Sequence, residues 1–431
     1  MQTIYALSSG AVPAGVAVIR ISGPDAGAAL AAMAGGLPAP RRAALRAFRR
    51  PDDGTVLDEG LALWFPAPRS YTGEDLAELQ VHGSRAVIAA IFDVLSGRGA
   101  RLAEPGEFSR RAFRNGKLDL TEIEGLADLI AAETEMQRRQ AIGQARGSLS
   151  ARAESWREEL IGLRAEIEAR LDFSDEGDVA DELPESFWAA LGRLRNDMGE
   201  ALAAGQAGER IREGFRIAIV GRPNAGKSSL LNVLAQRDVA IVTEEPGTTR
   251  DILEVALDLR GYPVLVYDTA GLREASSAAE QEGVRRARLT GETSDLVLWL
   301  EDSTEAAGEP PVFSGVPIWR VRSKIDLTGG PGMDDELAVS AKTGEGIDAL
   351  LARIAGAVAV SAGSEPVIVA RQRQRDALHN ACSALDQVPG AAHEVAADLL
   401  RSAGDAIARL TGRIDVEDVL DRLFAEFCIG K

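Results

Sequence analysis

No apolar run in the chain approaches the roughly 20 residues that span a bilayer, and residues 1–7 lack the basic start and apolar block of a signal peptide. A membrane role is therefore not expected, and the cytoplasm is the expected compartment. Cysteine and histidine are scarce: Cys382 and Cys428, with His82, His379 and His393 scattered among 431 residues, cannot make a metal cluster. Basic charge is in deficit, with 48 Lys and Arg against 66 Asp and Glu and a net charge of −18. That field repels phosphate, which excludes indiscriminate nucleic-acid binding and leaves only local patches for an RNA partner. Three candidates are Arg41, Arg42, Arg46, Arg49 and Arg50; Arg110, Arg111, Arg114 and Lys117; and Arg371, Arg373 and Arg375. Each also reads as a solvated helix face.

What is present fits a globular protein of roughly three domains, 45% hydrophobic and 26% charged. The first stretch alternates strands (Val16–Ile21, Ala62–Phe65, Leu76–Val81) with helices near Pro24–Ala34 and Arg85–Leu95, which predicts an α+β domain over 1–116. From Leu118 the apolar spacing becomes helical, with Ile123, Leu126 and Ile130 on one face, and Trp156, Leu160, Leu163, Ile167 and Leu171 on another. Cys382 is expected in a helix core. Helical spacing returns after the polar 361–366 stretch and ends with Val416, Leu420, Leu423 and Phe427. The expected fold is thus α/β and α multidomain: an α+β domain, a discontinuous helical domain (117–213 and 361–431), and a P-loop domain inserted at 214–360. An inserted domain passes any movement to its host through both chain connections.

The chemistry concentrates in the insert. Gly221-Arg222-Pro223-Asn224-Ala225-Gly226-Lys227-Ser228-Ser229 follows the apolar strand Phe215–Val220 and precedes a helix. Glycines let backbone N–H groups wrap phosphates, Lys227 reaches them, and Ser228 offers a hydroxyl to Mg²⁺. Asp268-Thr269-Ala270-Gly271 ends a second apolar strand, placing a carboxylate to support Mg²⁺ and a glycine near the γ-phosphate. Between them, Gly247-Thr248-Thr249-Arg250-Asp251 reads as a nucleotide-sensing switch. Ser323-Lys324-Ile325-Asp326 follows the strand Val316–Val321; Asp326 can accept from both the ring N–H and the amine of guanine, which favours GTP over ATP. Lys324 would cover the base, and Ser340-Ala341-Lys342 would offer a backbone N–H to the guanine oxygen.

As an ordered set these motifs resemble the translation-factor-like branch of the GTPases. That branch usually has Asn where this chain has Ser323, so some loop-tying hydrogen bonds are expected to be lost while the Asp326 contacts remain. Leu272 stands where many small GTPases place a water-orienting glutamine. Hydrolysis must then use a cation in place of an arginine finger and another polar residue over the water. Asn224 and Glu280 are the candidates, though Asn224 also suits a turn and Glu280 is one of many carboxylates.

Adding Asp268–Glu274, the stretches Ile19–Gly23, Tyr71–Asp75 and Pro105–Phe108, and the terminal Cys428-Ile429-Gly430-Lys431, the whole chain resembles the MnmE (TrmE) family of tRNA-modification GTPases. The resemblance implies a homodimer acting with the FAD-containing MnmG (GidA) in a heterotetramer or larger complex. Together they add a carboxymethylaminomethyl or aminomethyl group to carbon 5 of the wobble uridine of certain tRNAs, with the carbon from 5-formyl- or methylene-tetrahydrofolate. It implies that Asn224, Thr243, Glu245 and Thr248 hold K⁺, that Ser228 and Thr249 bind Mg²⁺, and that Glu280 aligns water. GTP contacts are implied for Asn224 to Ser229, Thr243, Thr248, Thr249, Asp268 to Gly271, Ser323, Lys324, Asp326 and Ser340 to Lys342. Arg20, Glu78, Lys117 and Lys431 map to the folate pocket, their charges suiting a pterin edge and a glutamate tail. Cys428 reads as a thiol near the folate or as an inert one. The competing reading is a ribosome-assembly type of regulatory GTPase without folate chemistry.

Overall fold

A computed structural model describes residues 1–172, 182–241, 253–268, 290–306, 308–328, 337–363, 367–414, 419–420, 423–424, 427 and 430. The chain divides into two compact units, Met1–Ala127 with Ala408–Lys431, and Asp128–Ile407.

The first unit runs β1 (Ile4–Leu7), β2 (Ala14–Ser22), α1 (Ala26–Ala34), β3 (Ala44–Arg49), β4 (Val56–Phe65), β5 (Leu76–Gly83), α2 (Arg85–Gly97), β6 (Arg101–Leu102), α3 (Glu107–Arg114) and the start of α4 (Leu120–Ala131). Its sheet has the order β3-β4-β5-β2-β1-β6, antiparallel except for the β1–β6 pair. Period-two patterning sorts the faces. Ala17, Ile19 and Ile21 of β2 join Leu79, Val81 and Trp64 under Leu30 and Met33 of α1 and Ile91 and Leu95 of α2. The intervening Arg20 points to the other face, opposite Glu78 in the β2–β5 register.

Strands β1 and β3 and helix α3 were not legible in the sequence. Arg46 and Arg49 mask β3, yet β3 lies at an edge of the sheet, where charge is tolerated and discourages further pairing. Arg111 is corrected from a basic-patch candidate: its side chain is only 4% exposed, ion-paired to Glu74 (2.9 Å) and to Glu107 one helical turn away (3.0 Å). Glu107 also accepts from both terminal guanidinium nitrogens of Arg101, at 2.7 and 2.6 Å. Burial pushes the Glu107 carboxyl up, but the bonds from Arg101, the Glu104 amide and Arg111 outweigh it and hold it at about 2. Ile130 is also corrected; the apolar cluster of Leu120, Ile123, Leu423, Phe424 and Phe427 reaches Leu126 and Ala127, and Ile130 beyond it is exposed.

The second unit holds α5 (Glu135–Ala145), α6 (Ser148–Asp172), α7 (Glu185–Glu213), β7 (Phe215–Gly221), α8 (Lys227–Ala235), β8 (Leu253–Leu259), β9 (Tyr262–Asp268), β10 (Leu296–Asp302), β11 (Ile318–Ser323), β12 (Leu337–Ala338), α9 (Ile347–Ala362), α10 (Gln372–Asp386) and most of α11 (His393–Thr411). Trp156, Leu160, Leu163 and Ile167 are buried along α6 as their spacing predicts, and Leu171 is half-buried. Cys382 lies buried in α10, and burial raises its thiol pKa. Among the described residues no helix is long and apolar enough to cross a membrane.

The sheet order is β12-β11-β10-β7-β9-β8, parallel except for β8. Both faces are covered, which explains the continuous apolar strands. Ile217 and Ile219 pack with α8 and α9, while Ala218 and Val220 pack with Val297, Trp299 and Phe313. β8 and β9 join through Arg260 (φ 58°) and Gly261 (φ 89°), whose paired positive φ values suit a two-residue hairpin turn. The turn is clasped to α5, with Met136 N donating to Gly261 O at 3.0 Å. Arg371 pairs with Asp128 and Arg375 with Glu209, so two members of the third basic cluster are partnered.

Candidate functional site

Strands β7, β9, β10 and β11 end at the same edge of the parallel sheet, where crevices for ligands form. At the end of β7, Gly221 lacks the Cβ that would stand 2.4 Å from Leu300 O on β10, so the loop leaves the sheet in close contact with its neighbour. Asn224 (φ 62°) and Gly226 (φ 90°) take left-handed conformations that turn the loop into α8. This gives Asn224 a backbone role; asparagine tolerates that region better than most side chains.

Lys227 is 7% exposed, and its Nζ donates to the carbonyls of Gly221 and Arg222, both at 2.9 Å. The ammonium is curled under the loop where phosphates would sit. Burial lowers its pKa, with the Asp268 carboxylate opposing that shift. Ser228 Oγ donates to Asp268 Oδ2 at 2.6 Å, bringing together the hydroxyl and carboxylate expected at a Mg²⁺ site. Asp268, ending β9, is buried.

Beside the loop lies a cavity of about 390 Å³ lined by Gly226, Ser229, Ser323, Lys324, Asp326 and Ala341, among others. Ser340 Oγ donates to Asp326 Oδ1 at 2.7 Å and accepts from Thr343 N, so the carboxylate is oriented by a buried hydroxyl. Lys324 (φ 56°) pairs with Asp302 Oδ2 at 2.7 Å. The Lys324 bond and the Thr304 amide hold the Asp302 carboxyl at about 2. Asp302 was missed in the sequence; its signal is its place at the end of β10, level with Ser323 in the ladder. Ser323 Oγ lies 2.6 Å from Ala225 O and 3.1 Å from Glu301 O. The loop tie expected to weaken with serine is therefore made in part by the hydroxyl.

Thr243, Glu245, Thr248, Thr249, Thr269, Ala270, Gly271, Leu272, Glu280, Cys428 and Lys431 lie outside the described residues.

In the other unit, Arg20 meets Glu78 through Nε (3.0 Å) and NH2 (2.9 Å) and lies over the rings of Tyr71 (5.4 Å) and Phe108 (5.7 Å). Tyr71 donates to or accepts from Ser109 Oγ at 2.7 Å, and burial raises its phenol pKa. Lys117 Nζ donates to Pro68 O at 3.2 Å, on the same 68–74 loop that carries Tyr71. The chain end reaches this unit's sheet: Ser8 Oγ donates to Gly430 O at 2.8 Å. Because β1 pairs with β2 through Ala6 and Arg20, Gly430 sits one strand from Arg20. Tyr71 and Phe108 were not singled out as site residues, although both fall in stretches that carried the resemblance.

Phosphate loop, buried lysine, hydroxyl–carboxylate pair and base-sized cleft define a P-loop protein of the GTPase class. The family model for the MnmE helical domain matches residues 120–428, and that for the GTP-binding protein TrmE N-terminus matches 3–117. The chain is 51% identical to the tRNA modification GTPase MnmE of Rhodopseudomonas palustris and 52% to that of Azorhizobium caulinodans, in each case over 100% of this chain and 99% of the relative. Among solved structures, a point variant of Era from Aquifex aeolicus bound to GDP·AlF4⁻ aligns with 39% of this chain and 66% of its own at 25% identity and a TM-score of 0.27. The chain belongs to the MnmE (TrmE) family of tRNA modification GTPases.

Proposed function

We propose that this GTP hydrolase of tRNA modification is K⁺-stimulated and works as a homodimer with MnmG, adding a carboxymethylaminomethyl or aminomethyl group to carbon 5 of the wobble uridine with a tetrahydrofolate-borne carbon. The observation that carries the reading is the convergence of Lys227, Ser228, Asp268 and Asp326 at one sheet edge, in a chain matching MnmE relatives end to end. The four-part division at 1–116, 117–213, 214–360 and 361–431 belongs to the same reading.

In this reading Lys227 leaves the carbonyls of Gly221 and Arg222 for the phosphates of GTP. Ser228 and Asp268 fit Mg²⁺ through a hydroxyl and a carboxylate, the oxygen donors a hard cation takes. Bound there, Mg²⁺ would supply charge neutralisation to the phosphates. Asn224 is the K⁺ candidate among the described residues, with Thr243, Glu245 and Thr248 assigned by resemblance, as are Thr249 to Mg²⁺ and Glu280 to water. Asp326, oriented by Ser340, selects guanine, and Lys324 covers the base while Ala341 and Lys342 border it.

For folate, Glu78 offers a carboxylate to a pterin edge, and Arg20 and Lys117 offer cations to a glutamate tail. The stacking of Arg20 on Tyr71 and Phe108 supports this placement, since a flat ring system fits beside such rings. Lys431 and Cys428 would complete the pocket. FAD belongs to the MnmG partner.

The test is mass spectrometry of tRNA nucleosides from cells with and without the gene. Loss of carbon-5 modified wobble uridines, restored by the unmodified gene but not by Asp268→Ala, is the expected result. Unchanged wobble nucleosides would overturn the reading in favour of a ribosome-assembly type of GTPase.

A further inference from the structure

Ser323 ends β11 at the wall of the base cleft and is 5% exposed. Its hydroxyl faces two backbone carbonyls, Ala225 of the phosphate loop at 2.6 Å and Glu301 of β10 at 3.1 Å. A serine hydroxyl carries one proton, so it serves one of these acceptors fully at any moment. The shorter distance assigns that proton to Ala225, a residue 2% exposed whose carbonyl has little access to water.

The bond joins the two halves of the nucleotide site. On one side is the loop that curls over Lys227; on the other is the strand that runs into Lys324 and Asp326. A nucleotide must grip both at once, so its affinity depends on their separation being fixed beforehand. We propose that Ser323 is the positioning joint between phosphate loop and base cleft, and that its single proton makes this joint the weak point that sets how long a guanine nucleotide stays bound. The proposal rests on the guanine-nucleotide reading above. A two-proton donor at this position would serve both carbonyls.

The test is stopped-flow release of a fluorescent GDP analogue from the full chain and from Ser323→Ala, Ser323→Thr and Ser323→Asn. Loss of the joint in Ser323→Ala should speed release about fivefold, the usual effect of one buried neutral hydrogen bond. Ser323→Thr keeps the hydroxyl and should release like the unmodified chain, and Ser323→Asn should release more slowly than it. Guanosine, which fills only the base half, should compete equally well in all four proteins. Equal release from Ser323→Ala, no slowing in Ser323→Asn, or guanosine binding that falls in parallel with GDP would each overturn the joint. Failure of the unmodified chain to retain the GDP analogue would remove the guanine reading and the joint together. Retention with four identical release rates would remove the joint alone.

Discussion

The two six-stranded sheets among the described residues solve the placement of chemistry in opposite ways. In the parallel sheet, β7, β9, β10 and β11 point the same way, so Gly221, Asp268, Asp302 and Ser323 arrive at one edge. In the antiparallel sheet the strand ends are shared between two edges. Its candidate groups, Arg20 and Glu78, instead face each other within strands, on the side away from helices α1 and α2. Strand direction thus decides whether a site is assembled from loops or from a sheet face. The charges follow suit. The Lys324–Asp302 pair lies beside an open cleft, whereas Arg111, Glu74 and Glu107 form a buried network that holds the 68–74 loop to α3.

The comparison breaks most visibly at Arg111. Arg111→Leu removes the cation shared by Glu74 and Glu107, leaving Glu107 to Arg101 and Glu74 to the Ser22 hydroxyl, and should cost about 3 kcal/mol. The denaturant unfolding of the unit that holds Arg111 should move to lower midpoint while GDP binding persists; a shift under about 1 kcal/mol would mean the network is dispensable. Acid probes the same network next. Glu107 titrates at about 2 when folded against an ordinary 4.5, so the unfolded chain takes up its proton first as pH falls. The roughly 3 kcal/mol this group contributes above pH 4.5 should drain away between about 4.5 and 2. Glu107→Gln should flatten that part of the stability–pH curve. In the parallel sheet, Asp326→Asn should reduce the preference for GTP over ATP about 100-fold, read by competition against labelled GDP. The smallest effect is expected at Arg195, whose pair with Asp386 is exposed on both sides. Arg195→Ala should leave both the unfolding midpoint and GDP release unchanged.

Much of the parallel unit was legible because its chemistry lies where glycine, lysine and aspartate punctuate apolar strands. Strands β7, β9, β10 and β11 were found to within a few residues, β8 and β12 were not singled out, and the ordered motifs pointed to guanine before any geometry. The antiparallel sheet was harder. Arg46 and Arg49 of β3, with Arg50, Asp53, Asp58 and Glu59 beside or within β4, hide a hairpin whose buried side is marked by Phe48, Ala62 and Trp64. Arg20 and Glu78 carry no local motif that announces a site; the register brings them together, and the resemblance named them. Arg111 was read as surface because charge counts as exposure until a partner is seen, and its partner Glu74 is 37 residues away.

The β8–β9 hairpin has a mechanical consequence. Its open end holds Leu253 level with Asp268, the acceptor of the Ser228 hydroxyl, and its turn is clamped at Gly261 by the Met136 amide. The seven residues of β9, at the rise of an extended strand, make a moment arm of roughly 20 Å. A tilt of a few degrees at the clamp becomes about an ångström at the carboxylate, comparable to the margin between a formed and a broken hydrogen bond. The helix that carries Met136 therefore holds one end of a stiff bar whose other end is Asp268, with β7 and β8 fixing the bar along its length.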